Sequence, residues 1–190
     1  MKNRLILIGL FAAFFAPLLI ALLLHSEWID WQAPPDRSHG ILIDPVVPIG
    51  AFELADAQGQ IRGPSDLTGR WWLILVQPDH CKRDCLARLE LMRRIRLAQD
   101  RHRLEVGLML ITEGVLSELE IDSVELLDPT FMIFQSDAGG ALIRRFPAVE
   151  NGAFYIVDPD TNIMERFQPD ADPTGIRKDL DRLLKWTIRE

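Results

Sequence analysis

Two runs of six residues, Trp71–Val76 and Val106–Ile111, contain no charged side chain. Runs of this length are too short for a buried helix and suit strands covered on both faces. Between them Leu86, Leu89, Met92 and Ile95 recur at helical spacing, within a segment from about Lys82 to Arg101. Strand, helix and strand at the centre of a chain predict an α/β domain of three layers. The flanking segments fit that plan. Phe52 and Leu54 alternate with polar neighbours, Asp56–Gly59 offers a turn and Gln60–Arg62 returns, which predicts a hairpin. Val115–Ile121 reads as a short helix, Phe131–Phe134 as a strand, and Asp137–Arg145 as a helix weakened by Gly139 and Gly140. Ala153–Val157 and Ile163–Phe167 flank Asp158-Pro159-Asp160-Thr161-Asn162, the residues of a hairpin turn, so the central sheet should be mixed. In the last helix Asp172 is the expected cap and Pro173 the first residue. Ile176, Leu180, Leu183, Leu184 and Ile188 form its buried stripe.

Ahead of the domain, Leu5 to Leu24 carries no charge, about the length a helix needs to cross a bilayer core of about 30 Å. Pro17 is tolerated in such a span. Lys2 and Arg4 precede it while Glu27, Asp30 and Asp36 follow, which places the N-terminus in the cytoplasm and the domain outside. No small-x-small cleavage site follows and no cysteine stands there to carry a lipid, so residues 1–24 read as an uncleaved anchor. The expected location is a bacterial inner membrane, crossed once, with the C-terminal domain periplasmic. Residues 25–48, with Pro34, Pro35, Pro45 and Pro48, read as a semi-rigid linker, and residues 49–190 as the domain. Trp28 and Trp31 should sit at the lipid headgroups, and His39 reads as a solvated loop residue. Against 28 acidic residues there are 21 basic ones, a net charge of −7, and no basic stripe with interleaved aromatics occurs. That balance argues against nucleic acid as partner.

Cys81 and Cys85 are the only cysteines, in the run Gln77-Pro78-Asp79-His80-Cys81-Lys82-Arg83-Asp84-Cys85 where the first strand gives way to the helix. Two thiols four positions apart on a helix share a face, with Cα atoms roughly 6 Å apart. That spacing permits a disulfide, and it equally permits two thiolates to grip a soft ion such as Cu(I). Outside the cytoplasm a disulfide is chemically allowed, yet two cysteines cannot form a disulfide scaffold and a five-residue ring stabilises little. The pair therefore reads as chemistry more than as a staple. The helix start and the neighbouring Lys82 and Arg83 favour thiolate, and Cys81 should have the lower pKa.

The stretch Asp66–Leu75, then Asp79-His80-Cys81 with Cys85, then Phe154-Tyr155-Ile156-Val157-Asp158-Pro159-Asp160, resembles the Sco/SenC/PrrC family over about Val47 to Glu190. The family comprises membrane-anchored proteins that help assemble the copper centre of cytochrome c oxidase. The resemblance implies a thioredoxin-like fold, partners among respiratory oxidase subunits or assembly proteins, and copper held by two cysteines and a distal histidine. Cys81 and Cys85 carry over. The histidine does not, because its segment reads Val149-Glu150-Asn151-Gly152-Ala153 and no histidine follows His102. The prolines usual inside and after the cysteine motif are replaced by Lys82 and Leu86. Glu150 would be a hard donor for Cu(I), and His80, adjacent to Cys81, should point elsewhere. His102 reads as favourable charge at a helix C-terminus, Met92, Met109, Met132 and Met164 as core fillers, and Asp158 and Asp160 as turn residues. The sequence thus leads to thiol–disulfide exchange, with Cys81 attacking and Cys85 resolving. Cu(I) carriage by the same thiolates and a non-catalytic assembly role are the alternatives.

Overall fold

The computed structural model describes residues 38–187, together with 4 and 13–17. The expected anchor falls almost wholly outside these residues, as do most of the linker, Trp28, Trp31 and Ile188. Among the described residues no helix is long and apolar enough to cross a membrane. The order is β1 (Ile41–Pro48), β2 (Leu54–Ala55), β3 (Ile61–Arg62), β4 (Trp71–Gln77), α1 (Arg83–Leu97), β5 (Val106–Thr112), α2 (Glu118–Leu127), β6 (Phe131–Phe134), α3 (Ser136–Ile143), β7 (Ala153–Val157), β8 (Asn162–Phe167) and α4 (Pro173–Thr187).

Six strands form one sheet in the order β1-β8-β7-β4-β5-β6, while β2 and β3 pair separately as the expected hairpin. β4, β5 and β6 are parallel, and β7, β8 and β1 continue antiparallel, so the sheet is mixed as the sequence predicts. Every residue of β4 and β5 is buried, which is why their sequences do not alternate. Successive side chains leave opposite faces. Leu73, Leu75, Leu108 and Leu110 meet Leu89 and Met92 of α1 and Ile176, Leu180 and Leu184 of α4. Ile74, Val76, Met109 and Ile111 pack on the other side with Leu142 and Ile143 of α3 and Phe146. Each fully buried α4 side chain contributes about 1.5–3 kcal/mol, so this stripe anchors the C-terminal helix. Met92 and Met109 are fully buried, and Met132 and Met164 pack against the two clusters.

Three expectations change. The segment read as linker up to Pro48 is not a spacer over Ile41–Pro48, because it forms β1 against β8, with Ile41 opposite Arg166 and Pro48 opposite Asn162. β1 tolerates Pro45 and Pro48 because it lies at the sheet edge, where every other N–H faces away from the ladder, and Pro45 falls where its register with β8 breaks between Leu42 and Val47. The helix from Lys82 stops at Leu97, and His102 lies in a 3₁₀ turn over Asp100–Glu105, its Nδ1 2.9 Å from a Glu105 carboxylate oxygen. The short helix expected at Val115 starts later and runs to Leu127. Ser117 caps it by accepting from the Glu120 amide, and the Glu120 carboxylate accepts from the Ser117 amide at 2.8 Å.

His39 is not a free loop residue either. Its amide donates to Asp179 Oδ2 at 2.6 Å and its ring Nδ1 lies 3.0 Å from Asp179 Oδ1. Gly40 N–H donates to Glu165 Oε1 at 3.1 Å, the Ser38 hydroxyl contacts the same oxygen, and Arg182 donates to Asp179 at 3.0 Å. Glu165 and Asp179 are each 1 % exposed. Burial and the neighbouring Asp179 charge push the Glu165 carboxyl up to about 8. Burial also acts to raise Asp179, but hydrogen bonds from the His39 ring and amide outweigh it and hold that carboxyl below its ordinary range. The two carboxyls thus carry one proton between them around neutral pH.

Candidate functional site

β4 ends at Gln77 and α1 begins at Arg83, so Pro78–Lys82 forms the turn at the carboxyl end of the central strand, where open α/β sheets place their sites. Two groups fix this turn from opposite sides. The buried Thr112 hydroxyl donates to the Asp79 carbonyl at 3.0 Å and accepts from Gly114 N–H at 3.0 Å. On the other side Asn151 Oδ1 lies 3.4 Å from Asp79 N–H. Lys82 is the N-cap of α1 and supplies no side-chain hydrogen bond to it. The first amides of the helix are left without a side-chain acceptor from the cap, which keeps the helix start electropositive.

Cys81 and Cys85 lie together in this turn and first helical turn, joined as a disulfide, with Cα atoms 5.0 Å apart. Both are nearly covered, at 3 % and 1 % exposure, and they contact the core beneath α1. A cleft of about 460 Å³ opens beside Cys85. Gln77, Asp79, His80, Lys82, Asp84, Arg88 and Asn151 line it. Gln77 is 4 % exposed and its Oε1 has no hydrogen-bond partner. Arg88 reaches over the turn before β7, and its guanidinium carbon lies 2.8 Å from where a Cβ on Gly152 would stand. Gly152 also has φ +83, so the backbone demands glycine there, whereas a Cβ would only displace the flexible end of Arg88.

Of the other candidate residues His80 lines the same cleft as Cys85, while Glu150 and Asp158 are engaged elsewhere. The ring of His80 packs on Gly114, in the turn after β5. Glu150 is bonded to Arg166 at 2.5 Å. Asp158 closes the β7–β8 turn by accepting from the Asp160 and Asn162 amides at 2.9 and 2.8 Å. Among the described residues, no group of three or more His, Cys, Asp or Glu side chains is gathered so as to hold a metal ion. Once reduced, Cys81 and Cys85 would offer two soft thiolates to Cu(I), with Asp79, His80 and Asp84 lining the same cleft. Sequence reasoning missed Gln77, Arg88, Thr112 and Asn151. Of these only Gln77 left a signal, as the polar residue that ends the apolar run of β4.

A family model described as transmembrane-like, thioredoxin-like, C-terminal domain matches residues 71–187. The chain belongs to this family. The match spans the core of the transmembrane-like, thioredoxin-like domain from β4 to the end of α4, including both cysteines. Solved structures share the fold at low identity. Yeast Sco1 with copper bound has a TM-score of 0.62 at 16 % identity, covering 75 % of this chain and 95 % of that one. Arabidopsis thaliana ScoI with copper bound has a TM-score of 0.58 at 14 % identity, covering 72 % and 98 %. BsSco, a Sco-family protein in which a disulfide switch was identified, has a TM-score of 0.59 at 12 % identity, covering 76 % and 98 %. The resemblance to Sco proteins read from the sequence therefore holds at the level of the fold. No curated protein matches the sequence.

Proposed function

We propose that this is a membrane-tethered periplasmic thiol–disulfide protein that assists assembly of the copper site of a respiratory oxidase. The observation that carries the redox part is the closed Cys81–Cys85 bond at the start of α1, beside a cleft. In the reduced state the Cys81 thiolate attacks one sulfur of a target disulfide. The Cys81–target bond forms, and the other target sulfur leaves as a thiolate and takes a proton. Cys85 then loses its proton and attacks the Cys81 sulfur, restoring the intramolecular disulfide and releasing the second target thiol. The protein gives up two electrons and the target gains two. The reported disulfide switch of BsSco, which shares the fold, supports this reading, as does its description as a member of a family of cytochrome c oxidase assembly proteins. Titration of the purified domain with glutathione or dithiothreitol should show one reversible two-electron couple; its absence would exclude exchange.

Cu(I) carriage by the same two thiolates is the second reading, favoured by the copper-bound yeast and Arabidopsis structures of like fold. Anaerobic Cu(I) competition separates the two. Affinity no stronger than that of a single free thiol excludes dedicated copper binding. A variant with both cysteines changed to serine that complements fully in cells would leave only a structural role in assembly.

A further inference from the structure

Charge is sorted between α1 and α2, which lie beside each other on one face of the sheet. From Lys82 to Glu105, α1 and the 3₁₀ turn after it, the chain has eight basic residues and four acidic ones; from Glu113 to Asp128, the turn after β5 with α2, it has six acidic residues and no basic one. Each strip also exposes leucine. Leu119 and Leu126, seven positions apart and so on one side of α2, are 78 % and 90 % exposed, with the exposed Asp122 between them. The inner side of α2 is already filled by Ile121, Val124 and Leu127, so these two leucines pack nothing within the domain. On α1, Arg94 is 72 % exposed with its Nε donating to Glu90 at 2.9 Å, and Leu97 is 41 % exposed. The exposed Arg101 follows, its Nε donating to His102 at 2.9 Å. The two helices are fastened at this end, where Arg96 donates to the Asp128 carboxylate and, at 2.5 Å, to the Thr130 hydroxyl.

We propose that this face pairs with the same face of a second copy of the chain, about a two-fold axis near the Arg96–Asp128 junction, the acidic α2 of each protomer lying on the basic end of α1 in the other. Two strips of opposite sign, side by side on one surface, become complementary to themselves under a two-fold rotation, and every contact is made twice. Leu126 of one protomer then covers Leu97 of the other, and Asp122 faces the stretch that carries Arg94 and Arg101. Exposed leucines framed by charge mark an association surface, and the charges fix its orientation more than its strength. A basic partner of another kind would answer α2 alone and leave the α1 strip uncovered; a second copy answers both. Leu97 is 12 residues beyond Cys85 on the same helix, about 18 Å along its axis. The cleft stays open in each copy, and the pairing does not depend on the thiol–disulfide reading.

The test uses the full chain in detergent micelles, its mass followed by light scattering. Wild type should hold two chains in about 50 mM salt and dissociate more readily in about 0.5 M, where exposed charges are screened. Glu118→Lys with Asp122→Lys makes α2 basic, and Arg94→Glu with Arg101→Glu makes the end of α1 acidic; all four positions are exposed. Each variant alone should be a single chain, because like charges then face each other. Mixed in equal amounts, the two should form a dimer with one chain of each, which also shows that both fold. Leu126→Ser, which removes two leucines from every dimer, should raise the dissociation constant at least about tenfold. A wild type that is one chain throughout would overturn the proposal and leave the acidic side of α2 to a basic partner of another kind. Variants that stay dimeric alone, or a mixture that does not pair, would place any association elsewhere and overturn it equally. None of these outcomes bears on the exchange chemistry of Cys81 and Cys85.

Discussion

Replacing Glu165 by glutamine should make the domain more stable, by an amount that grows with pH. Glu165 is buried on β8 against Asp179 of α4, with Gly40, Ser38 and Arg182 around the pair. Its folded-state value of about 8 lies above the ordinary carboxylate range, so between about pH 4.5 and 8 the folded protein keeps a proton that the unfolded chain has released. The unfolded state binds fewer protons over that window. Glu165 therefore contributes its full stability below the lower value, and that contribution is lost as pH rises towards the upper one. Each pH unit is worth about 1.4 kcal/mol, so from about pH 5 to 7.5 the wild type should lose on the order of 3 kcal/mol through this group. Glutamine reproduces the neutral acid, with an oxygen for the Gly40 amide and an N–H₂ for Asp179, and does not titrate. Urea unfolding of wild type and Glu165→Gln across this range should give a stability difference that rises with a slope approaching one proton. A flat difference, or a variant less stable than wild type at about pH 7.5, would refute the shared-proton description of the pair.

Gly152→Ala should cost at least about 1–2 kcal/mol, because alanine disfavours the left-handed backbone and its Cβ displaces Arg88; a urea midpoint unchanged from wild type would contradict this. Changing both Cys81 and Cys85 to serine should cost only about 2 kcal/mol of stability, the chain-entropy value for a five-residue loop, and leave the fold cooperative under denaturant. A collapse of folding would show that the bond is a structural staple. In the reduced protein Cys81 should be alkylated by iodoacetamide at lower pH than Cys85, followed by peptide mass spectrometry, since it sits just before the open amides of α1. Equal rates for both thiols at every pH would reject that assignment.

The parts of the fold legible from sequence were those where one interaction dominates. β4 and β5 are covered on both faces, so burial alone wrote their apolar runs, and the α4 stripe of Ile176, Leu180 and Leu184 follows from a single contact with the sheet. β1 was hidden because an edge strand with exposed side chains imposes no alternation, and its prolines mimic a spacer. The carboxyl pair had a signal that composition obscured. Glu165 and Phe167 lie on one face of β8, a register shift carrying Ile163 to the other, and Asp179 lies on the same helical stripe as Ile176 and Leu180, so both acids stand at positions that otherwise face the core. At the site the cysteines were readable because thiol chemistry has no substitute among side chains. Thr112 and Asn151 were not, since a polar residue at a strand end or in a turn takes its meaning from the segment it meets, and those meetings join residues 33 and 72 apart in sequence.

The pairing of β1 with β8 also sets a pivot. Ile41 is opposite Arg166, Phe167 is opposite Phe154, and Phe154 is opposite Leu75, two residues from the end of β4. The chain joins the domain on the same rim of the sheet as the disulfide, three strand spacings or about 14 Å away. A body held at that rim swings its far loops through wide arcs and its cysteines through a narrow one. Under the membrane tethering proposed above, the radius over which the reactive sulfurs could search would be set by the distance from the anchor to this rim, and only weakly by the size of the domain.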